Sequence, residues 1–168
     1  MMQDLKDTFY LMLRDRVAAG NAARTVVVRG VTRPGVVVAE NELPSATAAG
    51  ISVTDAFCLR WTGMSVDTRA WVPLTSMTCS ITYATDGMAG NGGMDRGRAM
   101  SAMDAELSAA LRAWPRFVPK VMAVAGQTAV ETADGTNVFW GDAVFGAEVM
   151  QNERLERTAT VEVFGYGE

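Results

Sequence analysis

Apolar and polar residues alternate most cleanly between 75 and 84. Met77, Cys79, Ile81 and Tyr83 fall on one side, and Ser76, Thr78, Ser80 and Thr82 on the other. The pattern predicts a strand with one buried face and one hydroxyl-rich face. Residues 154–166 alternate in the same way and run close to the last residue. A strand must give its N–H and C=O groups to a neighbour, so this final stretch is expected to be committed to a sheet.

Two segments carry the helical period instead. Leu5, Phe9, Met12, Leu13 and Val17 share one face of a helix predicted over Leu5–Ala19, with Asp4 as N-cap and Gly20-Asn21 as its stop. Met100, Met103, Leu107, Leu111 and Trp114 form the stripe of a second helix, Arg96–Trp114, capped by Asp95 and ended by Pro115.

Shorter signals fill in the order. Strands are expected at Thr25–Arg29, at Val36–Val38 after a Pro34-Gly35 turn, and at Ala56–Trp61. Thr128–Glu131 and Asn137–Trp140 flank an Asp134-Gly135 turn. Ala143–Met150 pairs with 154–164 as a hairpin around Gln151-Asn152-Glu153. Glu40–Gly50 reads as a loop, Met64–Val72 as a connection, and Asp86–Met94 as a Gly-rich surface loop, while Phe117–Gly126 is apolar without a clear assignment. Helix, strands, helix, strands predicts one α+β domain over 1–168. It has an antiparallel or mixed sheet, two main helices packed on one face, and a closing C-terminal hairpin.

Composition sharpens this picture. Hydrophobic residues make up 49% and charged residues 20% of 168 positions, with mean hydropathy +0.09. That is apolar for a lone subunit and suits a chain that also buries surface between copies. The eleven Met residues fit an adaptable interface or a core equally. A net charge of −4 disfavours sequence-independent DNA binding, but suits a lining that DNA passes without sticking. No apolar run approaches the ~20 residues of a membrane-spanning helix. Met1–Asp4 lead straight into a helix pattern, so no targeting segment is expected, and Cys58 and Cys79 are expected to be reduced, buried thiols of a cytosolic chain.

Candidate chemistry is sparse. The sequence has no histidine, which removes Ser-His-Asp and Cys-His arrangements and the usual neutral-pH base. The Gly-rich run before the second helix lacks the Gly-Lys-Ser/Thr of a phosphate loop, and Asp95 would repel an anion there. Asp86, Asp95 and Asp104 lack the spacing of a cation loop. Among the tryptophans, Trp61 and Trp114 are expected in the core, and Trp71 and Trp140 on a contact surface.

Arg33-Pro34-Gly35-Val36-Val37, followed by Glu40-Asn41-Glu42-Leu43-Pro44, resembles the segment after the first helix of lambda-type phage tail terminator proteins, the minor tail protein U-like family. The order of elements is similar along nearly the whole chain, although about a dozen residues carry the identity. This chain is longer around Gly50–Thr54, Met64–Pro73 and Phe117–Gly135, which leaves flexible and contractile tails both open. The resemblance implies a structural virion protein of the tail or neck, assembled in the host cytoplasm. It would form a homohexameric ring that ends tube polymerisation and joins tail to head. The implied partners are other copies of the chain, the tail tube protein and the head-completion or connector protein, with genome DNA passing the lumen without specific binding. No membrane, cofactor, metal or catalytic residue is implied. Expected partner-contact positions are Glu40, Glu42, Leu43, Met88, Asn91, Met94, Trp71 and Trp140. A head-tail adaptor or other injection-machine protein, a small ligand-binding domain and an enzyme are the alternatives.

Overall fold

The computed structural model describes residues 2–42, 53–87, 95–123 and 127–167. In chain order the elements are α1 (Met2–Gly20), β1 (Thr25–Val28), β2 (Val31–Pro34), β3 (Val36–Val38), a single helical turn α2 (Ala39–Glu42), β4 (Phe57–Asp67) and β5 (Leu74–Thr85). They continue with α3 (Asp95–Arg112), β6 (Phe117–Pro119), β7 (Val121–Met122), β8 (Val130–Glu131), β9 (Asn137–Trp140), β10 (Val144–Phe145), β11 (Val149–Gln151) and β12 (Arg154–Tyr166).

Eight of these strands make one sheet in the order β3-β4-β5-β12-β9-β6, with β10 and β11 also paired to β12. Among the described residues only β3 and β4 run parallel; every other pair in this sheet is antiparallel. Two small hairpins, β1–β2 and β7–β8, stand apart. The fold is α+β with a mixed sheet. The spine is β5 against β12, in unbroken register from Thr85↔Leu155 to Leu74↔Tyr166.

Register decides what each face carries. Met77, Cys79, Ile81 and Tyr83 of β5 stand opposite Val163, Val161, Ala159 and Arg157 of β12 on the side that α1 and α3 cover. Leu5, Phe9, Met12, Leu13 and Val17 of α1 and Met100, Met103, Leu107 and Leu111 of α3 are all buried there, as their spacing predicts. Gly165 lets α1 approach closely, since a Cβ there would sit 3.2 Å from the Leu5 side chain and from the Asn137 carbonyl. A smaller cluster of Val26, Val37, Ala39, Ala56 and Cys58 packs the β1–β2 hairpin against the β3–β4 end of the sheet. Cys58 and Cys79 are free and buried, on opposite faces of their strands.

Two tryptophans exchange their expected roles. The second helix ends at Arg112, so Trp114 lies past the last turn and is 81% exposed. Trp140 is buried, because β9 places Val138 and Trp140 inward and Phe139 outward. Its indole N–H donates to the Leu111 carbonyl at 2.9 Å, and its ring stands edge-on to Phe9. Arg16 locks the same corner. Its guanidinium lies 4.9 Å from the Trp140 ring centroid and donates to the carbonyls of Ala110, Ala113 and Pro115, satisfying acceptors that the end of α3 leaves open. Trp61 packs against the core, edge-on to Phe9, as expected.

Candidate interaction surfaces

The first surface is the outer edge of β4. β3 pairs only with Phe57–Leu59, so among the described residues no strand lies beside positions 60–67 on that side. A bulge at Thr62, between Trp61 and Gly63, shifts the register, a device that alters strand twist at an edge. Beyond the bulge Met64 and Val66 are 58% and 41% exposed. The following turn carries Val72 at 44% and Trp71 fully exposed. Arg69 braces that turn by donating to both Asp67 carboxylate oxygens, and these hydrogen bonds hold the Asp67 carboxyl below its usual range.

The pattern of Met64–Val72 predicts a connection, whereas β4 continues through Asp67. The usable signal was the alternation of Met64 and Val66 with Ser65 and Asp67, masked by the glycine and the bulge before it.

A second surface lies across the sheet. β10 and β11 pair with β12 on the side away from β5, and their outer sides have no strand partner among the described residues. Val144, Val149 and Met150 are 70%, 52% and 57% exposed. Asn152 and Glu153 both take positive φ in the turn to β12. The segment 142–153 contains Asp142, Glu148 and Glu153 and no basic residue.

A third surface is the sheet face that the two long helices leave open. Its middle is a lattice of hydroxyls: Thr82 and Thr158 meet at 3.0 Å, and Thr78 donates to Glu162 at 2.7 Å. Along one side runs an aromatic row, Trp114, Phe117, Phe139 and Phe164, with successive ring centroids 6.3, 5.7 and 5.8 Å apart.

Of the expected contact residues, Trp71 is fully exposed on the β4–β5 turn. Trp140 is not available, because its ring is core and its N–H is satisfied within the chain. Glu40 and Glu42 sit on the turn α2 instead of a loop. Glu42 is held by Arg33 and accepts the Val38 N–H, while the more exposed Glu40 faces Lys6 at 3.6 Å. Leu43, Met88, Asn91 and Met94 lie outside the described residues.

Titratable groups elsewhere serve the fold. Tyr83 donates to Asp104 at 2.5 Å, Arg157 bridges Asp104 and Glu148, and burial followed by this hydrogen bond pushes the phenol well above its usual range. Asp86 pairs with Arg154. Lys120, 3% exposed, donates to Asp134 at 2.6 Å and to the Tyr166 carbonyl, fastening the end of β12 to the turn before β9. Among the described residues no three His, Cys, Asp or Glu side chains converge as a metal site, and no helix is long and apolar enough to cross a membrane. An open groove of about 550 Å³ lies between α1 and β6–β7, lined by Thr8, Leu11, Met12, Val118 and Val121. No protein-family model and no curated protein matches the chain, so its surfaces carry the functional reading.

Proposed function

We propose that this chain is a structural virion subunit, a phage tail terminator that assembles with its own copies into a ring at the head-proximal end of a tail tube. The ring ends tube polymerisation and offers a surface for joining the head. One observation carries the reading. A sheet with a completed core on its helix side still exposes large apolar side chains at both lateral edges, Met64, Val66, Trp71 and Val72 at one and Val144, Val149 and Met150 at the other. Exposed apolar side chains at paired sites favour association, and a heterologous contact that closes by rotation makes a ring.

The role is mechanical and requires no reaction centre. The Tyr83–Asp104–Arg157 and Lys120–Asp134 hydrogen bonds and ion pairs hold elements of the fold together. Trp71 is the residue best placed to touch a tube or connector subunit, since an exposed indole gives large contact area for little ordering cost. Electron microscopy of the purified chain tests the reading: rings with a central opening, which cap isolated tail tubes, are expected. Free single subunits that leave tube ends uncapped contradict it. A head-tail adaptor would also form rings but would bind the head vertex and leave tube length uncontrolled.

A further inference from the structure

We infer that neighbouring copies join knob to groove, Trp114 of one copy entering the cleft between the start of α1 and the bulged edge of β4 on the next. This names the contact of the self-assembly reading above and rests on it. Level, shape, hydrogen bonding and charge each support it.

Sheet register sets the level. Ser65, Ser76, Phe164, Phe139 and Phe117 form one unbroken row of paired positions across β4, β5, β12, β9 and β6. By strand spacing the row is roughly 19 Å from flank to flank. The Trp114 ring lies 6.3 Å from that of Phe117 at one end of the row, and the cleft begins at Met64, next to Ser65, at the other. A copy moved sideways along the row therefore brings its Trp114 to the neighbour's cleft. Trp114 lines the gap between α1 and α3 on the helix side and stands edge-on to Phe117 on the open side, so it belongs to the flank itself. The contact is made by side chains: Pro119 in β6 and Pro115 before it lack N–H donors, which blunts this flank against strand pairing.

Shape agrees. The cleft holds about 350 Å³, walled by Met2, Trp61, Met64 and Met77, with Gln3 and Lys6 as its polar members. Pockets of roughly 300–1,000 Å³ take small ligands, and an indole is of that class. Trp114, 81% exposed, and Met64, 58% exposed, leave water together in this contact. The indole supplies roughly 200 Å² of the ~800 Å² that each partner buries in a stable interface. Exposed Ala113 and Pro115 beside it, and Met2 and Val66 beside the cleft, extend the contact. A buried indole N–H needs an acceptor. Gln3 offers one, since its amide nitrogen is committed to Asp7 at 2.8 Å, which leaves the amide oxygen to accept.

Charge is complementary. Arg16 donates to the carbonyls of Ala113 and Pro115, on either side of Trp114, and Arg112 is exposed two residues before it. Among the described residues neither guanidinium meets a carboxylate. Beside the cleft Asp7 and Glu40 outnumber Lys6, which lies 3.6 Å from Glu40. Knob and cleft are different patches on opposite flanks, so the contact repeats head to tail and closes by rotation.

Complementation, read by light scattering, tests the pairing. Trp114→Ala removes the knob and Met64→Arg fills the cleft, and each variant keeps the other half intact. Each alone should raise the concentration for half-assembly about thirtyfold or more, the scale of a hot-spot loss, with its circular dichroism melt unchanged. An equimolar mixture should give dimers and nothing larger, because one complete contact forms per pair, and added salt should weaken them. Gln3→Arg, at the exposed rim, takes the place of Met64→Arg if that variant melts early. A Trp114→Ala chain that assembles like the parent overturns the inference and leaves the ring reading intact. So does a mixture in which neither variant rescues the other. A parent chain that stays a single subunit at every concentration removes both.

Discussion

The two faces of β5 share one backbone and differ in what they do. On one face Met77, Cys79, Ile81 and Tyr83 are each at most 2% exposed beneath α1 and α3. On the other, Ser76, Thr78, Ser80 and Thr82 remain partly exposed, and the Thr78 and Thr82 hydroxyls bond to β12 side chains. Folding stability is concentrated on the first face, where apolar area leaves water. The second face and the sheet's two edges are then open to change with little effect on the fold, and they are where a partner can be met.

The largest effect expected from this contrast comes at the covered face. Phe9 is fully buried between Trp61 and Trp140, so Phe9→Ala should cost about 3–5 kcal/mol, read as a lower denaturant midpoint. Asp104→Ala follows. It leaves the Tyr83 hydroxyl without its acceptor and removes one of the two carboxylates on Arg157 at the border of that core, for about 1–3 kcal/mol in the same assay.

A pH titration gives a smaller, signed effect. The hydrogen bond from Lys120, then that from Thr132, holds the Asp134 carboxyl far below its usual range, so the folded state binds this proton less tightly than the unfolded chain. The clip's contribution is complete above the ordinary carboxylate range and is lost as pH falls through the folded-state value. Asp134→Asn should therefore flatten the acid limb of a stability–pH curve between about pH 4 and 2, and change its slope little near pH 7. An unchanged acid limb would remove this account of the clip.

At the small end, Thr78→Ala on the open face should shift stability by at most about 0.5–1 kcal/mol, since only the exposed bond to Glu162 is lost. Trp71→Ala should leave the melt within about 0.5 kcal/mol of the parent and yet weaken assembly or tube capping. A Trp71 variant that unfolds would erase the division between faces.

Much of the covered region was legible in the chain. The apolar stripes of α1 and α3 and the alternation of β5 and β12 are local patterns, and each appears where its period predicts. Trp114 and Trp140 were not legible in the same way. The stripe of α3 extrapolates to Trp114, but the helix stops at Arg112. The inward face of β9 depends on Val138 and Trp140 pairing with Gly165 and Val163, contacts between distant residues that no local period encodes. The candidate surfaces suffer most from this, because an edge is defined by the strand that is missing beside it. Position 60–67 becomes an edge only once β3 is seen to stop at Leu59. The parallel pairing of β3 with β4, across the intervening α2, belongs to the same class of non-local fact.

Sedimentation equilibrium of the intact chain across a range of concentrations tests the central claim most directly. The account predicts a closed assembly of about six copies whose mass stops growing with concentration, the behaviour of a ring. A particle of 18.0 kDa throughout, or an open series that lengthens without limit, would contradict it.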